Sequence, residues 1–158
     1  MAWFECTCGS GGGGTTSKTI YLTENLKIGV AMNTVTATPY DTNNYVTVSD
    51  NVVTFKRNNS NYSLWLPCPI ELEVGKIYSF AYDSKTNTDG YLYLDKAPNG
   101  IPETGSFTVN RIFQIAPPAS ANRGMVFIVS TTGYYGFPIW SNNTNDIVVN
   151  NPSITEIS

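Results

Sequence analysis

The chain has 158 residues, a formal net charge of -3 and no histidine, and its charged residues make up only 13% of the total. That share is about half of what globular proteins usually carry, so the surface must be built from Asn, Thr, Ser and Tyr. Because no cluster of Lys or Arg is present, the sequence offers no electrostatic footprint for nucleic acid or for an anionic membrane. We expect neither as a partner.

Residues 1–17 predict an extended N-terminal arm, and residues 18–158 predict one β-sandwich domain. The arm places Trp3, Phe4, Cys6 and Cys8 in front of the glycine run 11–14. The glycines interrupt the apolar run of about 7 to 15 residues that a secretion signal needs, so we expect no signal peptide and synthesis in the cytoplasm. Bulky aromatics followed by a flexible glycine linker favour a docking arm, with these four residues as its contacts.

Three cysteines, an odd count, argue against a disulfide framework in this chain. Cys6 and Cys8 cannot complete a tetrahedral zinc site alone, and there is no histidine to help. Only symmetry-related copies could supply further ligands, so an intermolecular bond or a shared metal site is the alternative to simple docking. We expect Cys68, between two prolines, to be partly buried and inert. The sequence predicts no catalytic metal and no cofactor.

Beyond the arm, apolar residues do not recur at helical spacing, whereas alternating patterns and turn dipeptides recur throughout. The run 125–129 is almost continuously apolar and predicts a central strand covered on both faces, and the last strand is expected beside the first. Segment 133–145 is rich in Gly and Asn and is predicted to be irregular. The predicted strands are 19–22, 27–36, 45–48, 52–56, 70–74, 76–83, 91–94, 106–115, 125–129, 146–149 and 153–157.

Many short strands separated by Asn, Gly and Pro turns predict an all-β fold, a jelly-roll-like two-sheet β-sandwich with an extended N-terminal arm. Without histidine, acid–base catalysis would depend on carboxylates with shifted pKa values, and no spaced carboxylate pair is visible. The sequence therefore predicts no catalytic residues, and we expect a protein that is not an enzyme.

Aromatic residues beside Asn, Asp and Thr are the strongest functional signal in the domain. Flat rings stack on the C–H faces of sugars, while amides and carboxylates bind sugar hydroxyls, so this mixture suits a glycan. The alternative is that the rings fill the core or make oligomer contacts. We expect core packing for Trp65. The candidate glycan contacts are Tyr91, Tyr93, Tyr134, Tyr135 and Trp140.

Two segments carry a resemblance to a known group of proteins. Residues 70–83, with Gly75-Lys76 leading into alternating aromatics, and residues 150–157 at the chain end resemble the carbohydrate-binding-type jelly rolls of phage tail and virion proteins. The opening residues 1–9 also look like the short Cys/Gly start of structural proteins from phages that infect Firmicutes.

The resemblance implies a non-enzymatic virion protein on the tail, fibre or capsid surface, docking through its arm. Its implied partners are other virion proteins, further copies of itself in a homo-oligomer, and a host-surface glycan. The alternative function is a carbohydrate-binding module for host recognition, and the third is a glycan depolymerase. A virion location follows from the first of these.

Overall fold

The structure, a computed structural model, describes residues 17–23, 28–31, 36–39, 43–58, 61–86, 90–97, 107–116, 124–142 and 146–157. The predicted arm, with Trp3, Phe4, Cys6 and Cys8, lies outside the described residues. The dipeptide Asn99-Gly100, which predicts a chain reversal, also lies outside them, and so do residues 117–119 of the Pro-rich bend predicted at 116–119.

The described residues form short β-strands and no helix, which confirms the all-β prediction. Accordingly, these parts of the chain include no helix with the length and apolar character needed to cross a membrane. In chain order the strands are β1 (Thr19–Tyr21), β2 (Ile28–Ala31), β3 (Thr36–Pro39), β4 (Tyr45–Ser49), β5 (Val52–Lys56), β6 (Tyr62–Pro67), β7 (Ile77–Ala81), β8 (Ser84–Lys85), β9 (Leu92–Ala97), β10 (Phe107–Thr108), β11 (Asn110–Ile115), β12 (Gly124–Ile128), β13 (Tyr134–Ile139), β14 (Ile147–Asn150) and β15 (Ser153–Glu156).

Three antiparallel sheets build the fold. A seven-stranded sheet has the order β10-β3-β2-β6-β13-β9-β11, and two four-stranded sheets have the orders β1-β15-β7-β12 and β4-β5-β14-β8. One cluster of buried apolar side chains draws residues from all three sheets. The molecule is therefore a jelly-roll-like β-sandwich in which the two smaller sheets pack against the seven-stranded sheet. The seven-stranded sheet is strongly curved, because its two edge strands, β10 and β11, are separated by one residue, Val109, in the chain.

The core follows from strand alternation, in which every second side chain points the same way. On β7 and the residue after it, this alternation places Tyr78, Phe80 and Tyr82 on one face, and all three are buried. Phe80 stacks on Phe137 of β13 across the sandwich, with ring centroids 4.1 Å apart. The last strand does lie beside the first, with Ile154 opposite Ile20.

Three predicted strands were wrong. Residues 106–115 form two strands, β10 and β11, which lie at opposite ends of the seven-stranded order. Residues 27–36 do not form one strand, because β2 and β3 pair with each other as antiparallel neighbours. Residues 70–74 make only an isolated bridge at Leu72. Ile70 and Val74 of this segment are exposed rather than directed inward.

The predicted position of 125–129 was also wrong. β12 lies at the edge of its sheet, paired only with β7. Val126 and Ile128 are 64% and 66% exposed. Strands with continuous apolar runs are usually covered on both faces by other elements. In the described structure one face of β12 has no such cover, so Val126 and Ile128 are exposed although they are apolar.

The two strands at the centre of the larger sheet, β6 and β13, were missed. Segment 133–145 was predicted to be irregular, yet β13 pairs with β6 on one side and with β9 on the other. Gly136 and Pro138 lower the strand propensity of β13, and Pro67 does the same for β6. Pairing on both sides outweighs this local preference.

Candidate functional site

The outer face of the seven-stranded sheet, which points away from the core, carries the candidate site. On β9 the core takes Leu92 and Leu94, so Tyr93 and Asp95 point to the outer face. On β13 the core takes Tyr135, Phe137 and Ile139. The side chains of the outer face that concern the site are Trp65, Tyr91, Tyr93, Asp95, Arg111, Gln114, Tyr134, Gly136 and Trp140.

Three of the predicted aromatics form what we call the aromatic row: Trp140, Tyr91 and Tyr93. The ring centroids of Tyr91 and Trp140 are 5.4 Å apart with an interplanar angle of 25°. Those of Tyr91 and Tyr93 are 5.7 Å apart at 15°. Near-parallel rings at these separations are offset, so each ring covers only part of its neighbour. The row is a strip of overlapping rings, in which Tyr91 and Trp140 are half-buried and Tyr93 is 9% exposed.

A guanidinium group ends the row. The Cζ atom of Arg111 lies 3.8 Å from the centroid of the Tyr93 ring, a cation–π contact. The same guanidinium binds Asp95 with both ends of its fork, Nε to Oδ1 at 3.0 Å and Nη2 to Oδ2 at 3.4 Å. The order along this part of the sheet is therefore indole, two phenol rings, guanidinium and carboxylate.

A β-bulge places two polar side chains of β11 on this face. Arg111 pairs with Asp95 and Gln114 pairs with Tyr93, with a register shift between Arg111 and Phe113. In a regular strand, residues three apart point to opposite faces. The extra residue in the bulge brings both to the side of the aromatic row. The exposed Gln114 amide thus lies beside the Tyr93 ring.

Asp95 is a fully buried carboxylate, and burial raises the pKa of its carboxyl group above the usual value. The hydrogen bonds and the charge of Arg111 act in the opposite direction and offset part of that rise. The indole N–H of Trp65 also lowers the pKa of Asp95, by a smaller amount than Arg111 does. This N–H is buried and has no hydrogen-bond partner at normal distance and angle, so it acts on the Asp95 carboxylate as a nearby dipole.

Trp65 lies flat on the sheet because its neighbour has no side chain. A Cβ atom at Gly136 would lie 2.2 Å from Cζ2 of the Trp65 indole, inside its van der Waals contact. Gly136 is paired with Asp95 on one side and with Pro67 on the other, so the indole extends over β13 toward Asp95. Phe107 packs edge-on against it with centroids 5.5 Å apart, and Trp65 is fully buried.

Close backbone packing fixes the Trp140 end of the row. The Trp140 N–H donates to the Tyr91 carbonyl at 2.9 Å. A Cβ atom at Gly90 would lie 1.3 Å from the Trp140 carbonyl oxygen, so only glycine fits there. Buried Arg57 donates from Nη1 to the Ser141 carbonyl, just after Trp140, and burial lowers the pKa of its guanidinium to about 10.

The structure divides the five predicted glycan contacts. It brings Tyr91, Tyr93 and Trp140 together. Tyr134 is on the same face and half-buried, but six residues along a strand span about 20 Å, which separates it from Trp140. Tyr135 is a correction: it is 1% exposed in the core, and its hydroxyl donates to the Thr131 carbonyl at 2.6 Å. Like Phe137 and Ile139, Tyr135 is on the face of β13 that points into the core, away from any ligand on the surface.

Sequence reasoning missed Asp95, Arg111 and Gln114. None of the three was singled out from the sequence, which carries no motif around them. Their partnership depends on the pairing of β9 with β11 and on the bulge, for which the sequence gives no local signal. The described residues contain no group of three or more Cys, Asp or Glu side chains arranged to hold a metal ion.

No family model matches the chain, and no curated protein matches its sequence. Among solved structures, one likeness is to CBM86, a low-affinity xylan-binding module from Roseburia intestinalis, at 12% identity and a TM-score of 0.47, covering 89% of this chain and 94% of that one. Another is to the CBM22-1 and GH10 modules of a Clostridium thermocellum endo-1,4-beta-D-xylanase, at 12% identity and a TM-score of 0.40. That likeness covers 90% of this chain and 28% of the xylanase chain. At this distance neither protein transfers a residue role.

Fold and site together define the class: a β-sandwich with an aromatic strip and polar groups on the outer face of one sheet. The strip is bordered by a guanidinium and an amide, and the carboxylate that holds the guanidinium is buried.

Proposed function

We propose that this protein is a carbohydrate-binding module whose ligand lies along the aromatic row. The observation that carries the proposal is the row itself, in which Trp140 and Tyr91 leave part of their rings accessible beside Arg111 and Gln114. Sugar rings offer C–H faces to aromatics and hydroxyls to guanidinium and amide groups. The row and the polar groups beside it supply both kinds of contact within one sheet face.

The test compares wild type with Tyr91→Ala and Trp140→Ala in affinity electrophoresis and calorimetry. The polysaccharides are arabinoxylan, hydroxyethylcellulose, galactomannan and mixed-linkage β-glucan. Burying a large aromatic side chain is worth about 1.5–3 kcal/mol, so each variant should bind a retained glycan about tenfold or more weakly. Tyr45→Ala is the matched control, because Tyr45 is 43% exposed on β4 in the other layer.

Two results would contradict the proposal. One is an absence of retention by every polysaccharide of the panel. The other is an equal loss of affinity in Tyr45→Ala, which would place the contact on the opposite layer.

The proposed module binds without cleaving. Among the described residues, Asp95 is the carboxylate paired with Arg111 at the end of the row, and it is fully buried with both oxygens held by Arg111. A general acid must reach the glycosidic oxygen, and Asp95 cannot do so in this arrangement. We expect no release of reducing ends from any retained polysaccharide. Release that is abolished by Asp95→Asn would establish a depolymerase instead.

The second candidate function is a structural role in a phage virion, on the tail, fibre or capsid surface. The observation that favours assembly is the exposed apolar edge of β12, where Val126 and Ile128 lie beside Ile77. Surfaces of this kind mark contacts with other proteins. In this proposal residues 1–14 attach the domain to other virion proteins, and copies of the chain associate with one another.

Incorporation into purified particles tests this role. We expect Trp3→Ala combined with Phe4→Ala to reduce incorporation strongly, while thermal melting of the domain stays unchanged because the described core is formed by residues between Ile20 and Ile154. A version without residues 1–14 should not be incorporated at all. Normal incorporation of the truncated protein would show that the arm has no docking function.

A further inference from the structure

We infer that Asp95 sets the charge specificity of the aromatic row, by fixing the Arg111 guanidinium on Tyr93 and cancelling its positive charge. The inference rests on the proposed function, because it concerns which glycans the row accepts. It assigns to Asp95 a positioning role. The ligand contact belongs to Arg111.

The burial of the two partners separates their roles. Asp95 is fully buried, so a ligand on the outer face cannot touch its carboxylate. The Arg111 side chain remains 26% exposed while both its bonded nitrogens point at Asp95. The Arg111 guanidinium therefore has two restraints: hydrogen bonds to the Asp95 carboxylate, and a stacking contact with the Tyr93 ring. Together they leave the guanidinium little freedom to rotate.

The charge balance of the face follows from this pair. Among the described residues of β6, β9, β11 and β13, Arg111 and Asp95 are the charged side chains at outward positions, and they sum to zero. A free guanidinium would attract the carboxylates of acidic glycans, because it binds them with charge-assisted, bidentate hydrogen bonds. Here that capacity is taken up by Asp95. The row should therefore favour uncharged glycans.

The experiment uses a matched pair of ligands: a neutral polysaccharide that wild type retains, and the carboxymethylated derivative of the same polysaccharide. The measured quantity is the ratio of the two dissociation constants at low and at moderate salt. Asp95→Asn keeps the size and planarity of the side chain but leaves Arg111 uncompensated. Arg111→Gln leaves Asp95 uncompensated. Glu71→Gln is the control, because Glu71 is exposed in the segment before Leu72 and the substitution changes the net charge by the same amount.

We expect wild type to prefer the neutral polysaccharide and Asp95→Asn to shift the ratio toward the acidic one by about tenfold, the size of one charge-assisted contact. Salt should abolish that shift, because it is electrostatic. Arg111→Gln should shift the ratio further toward the neutral polysaccharide. If Asp95→Asn fails to fold, the result for Arg111→Gln tests the inference.

Failure of the inference and failure of the proposed function give different results. A wild type that binds no neutral polysaccharide overturns the proposed function. A wild type that binds one, with a ratio that Asp95→Asn and Arg111→Gln leave unchanged, overturns only the role of Asp95. A wild type that prefers the acidic ligand, or an equal shift in Glu71→Gln, also overturns that role.

Discussion

Gly136 is the residue on which the arrangement of the outer face depends. It lies in the middle of a central strand, where glycine is normally unfavourable because it loses more backbone freedom and packs no side chain. The packing of the Trp65 indole offsets this cost, because the indole occupies the space that a side chain at position 136 would take. The indole in turn covers Asp95, which holds Arg111 on the aromatic row.

Gly136→Ala should therefore destabilise the protein although alanine is the better strand residue. The new methyl group overlaps the indole, and overpacking of this kind costs about 1–3 kcal/mol. Urea unfolding followed by tryptophan fluorescence measures the loss, and we also expect a shifted native emission maximum because Trp65 must move. Thr47→Ala, at an exposed position on β4, serves as the control. Equal stability of Gly136→Ala and wild type would show that Trp65 has room to relax.

Cys68 predicts how stability depends on alkaline pH. It is fully buried, and burial raises the pKa of its thiol from 9.0 to about 11. Between these two values the unfolded chain loses its thiol proton while the folded chain keeps it. The folded state then binds more protons, so its stability is fully present below pH 9.0 and falls as pH rises toward about 11.

We expect wild type to lose about 2 kcal/mol more of its unfolding free energy than Cys68→Ala between pH 8 and pH 10.5, with each unit above pH 9 adding about 1.4 kcal/mol to the difference. Cys68→Ala should start from a lower stability because of the small cavity. Its own slope comes from the remaining groups whose pKa values burial raises, which are Tyr93, Tyr135 and Tyr82, the last to about 12. Parallel curves for the two proteins would show that the Cys68 thiol does not couple to folding.

At the scale of elements, the β4–β5 hairpin shows how local sequence can determine a connection. Its two turn residues, Asp50 and Asn51, have φ angles of 48° and 60°. Two consecutive positive φ values are typical of a type I′ turn, which suits the twist of a two-residue hairpin. Asp and Asn enter this conformation more easily than most residues, so the turn was visible in the sequence.

Asp50→Val and Asp50→Gly test this turn as a pair. Valine is β-branched and should destabilise the protein by about 1–2 kcal/mol, whereas glycine should be neutral or slightly stabilising. Chemical denaturation of both variants gives the comparison. Since Asp50 is exposed, packing does not complicate the result. A valine variant as stable as the glycine variant would mean that the turn can adopt another conformation.

At the scale of the whole molecule, one aromatic contact joins the two layers of the sandwich. Phe80 of β7 and Phe137 of β13 stack at 4.1 Å and 7°, and both are fully buried. Phe127 packs against Phe137 from the same side, with centroids 5.9 Å apart. Because apolar side chains from all three sheets form one cluster, we expect the domain to unfold as a unit.

Phe137→Ala should cost about 3–5 kcal/mol, the usual result of removing a buried phenylalanine. Calorimetry and far-UV circular dichroism should give one coincident transition at a lower temperature, because both layers lose the same core. Phe113→Ala is the control, since Phe113 is 54% exposed on β11. Two separate transitions, or a loss no larger than the control's, would show that the layers are stabilised independently.

The sequence by itself determined the class of fold and much of the second layer. Alternation in β7 and the turn between β4 and β5 follow from local pattern, because strand periodicity and turn propensity act over a few residues. It also indicated Tyr91, Tyr93 and Trp140 as functional candidates, since these aromatics lie in polar surroundings. The sequence could not separate these three residues from Tyr135, because the face to which a side chain points depends on where its strand begins.

Only the tertiary structure decided the rest. Pairing on both sides made central strands of β6 and β13 despite Gly136 and the prolines, because ladder hydrogen bonds and core contacts outweigh weak local propensity. The open edge of β12 depends on which strands are left without a neighbour. The pairing of Asp95 with Arg111 required a bulge in β11, a shift of register between distant segments. Contacts between segments far apart in the chain, which no local pattern encodes, complete the site.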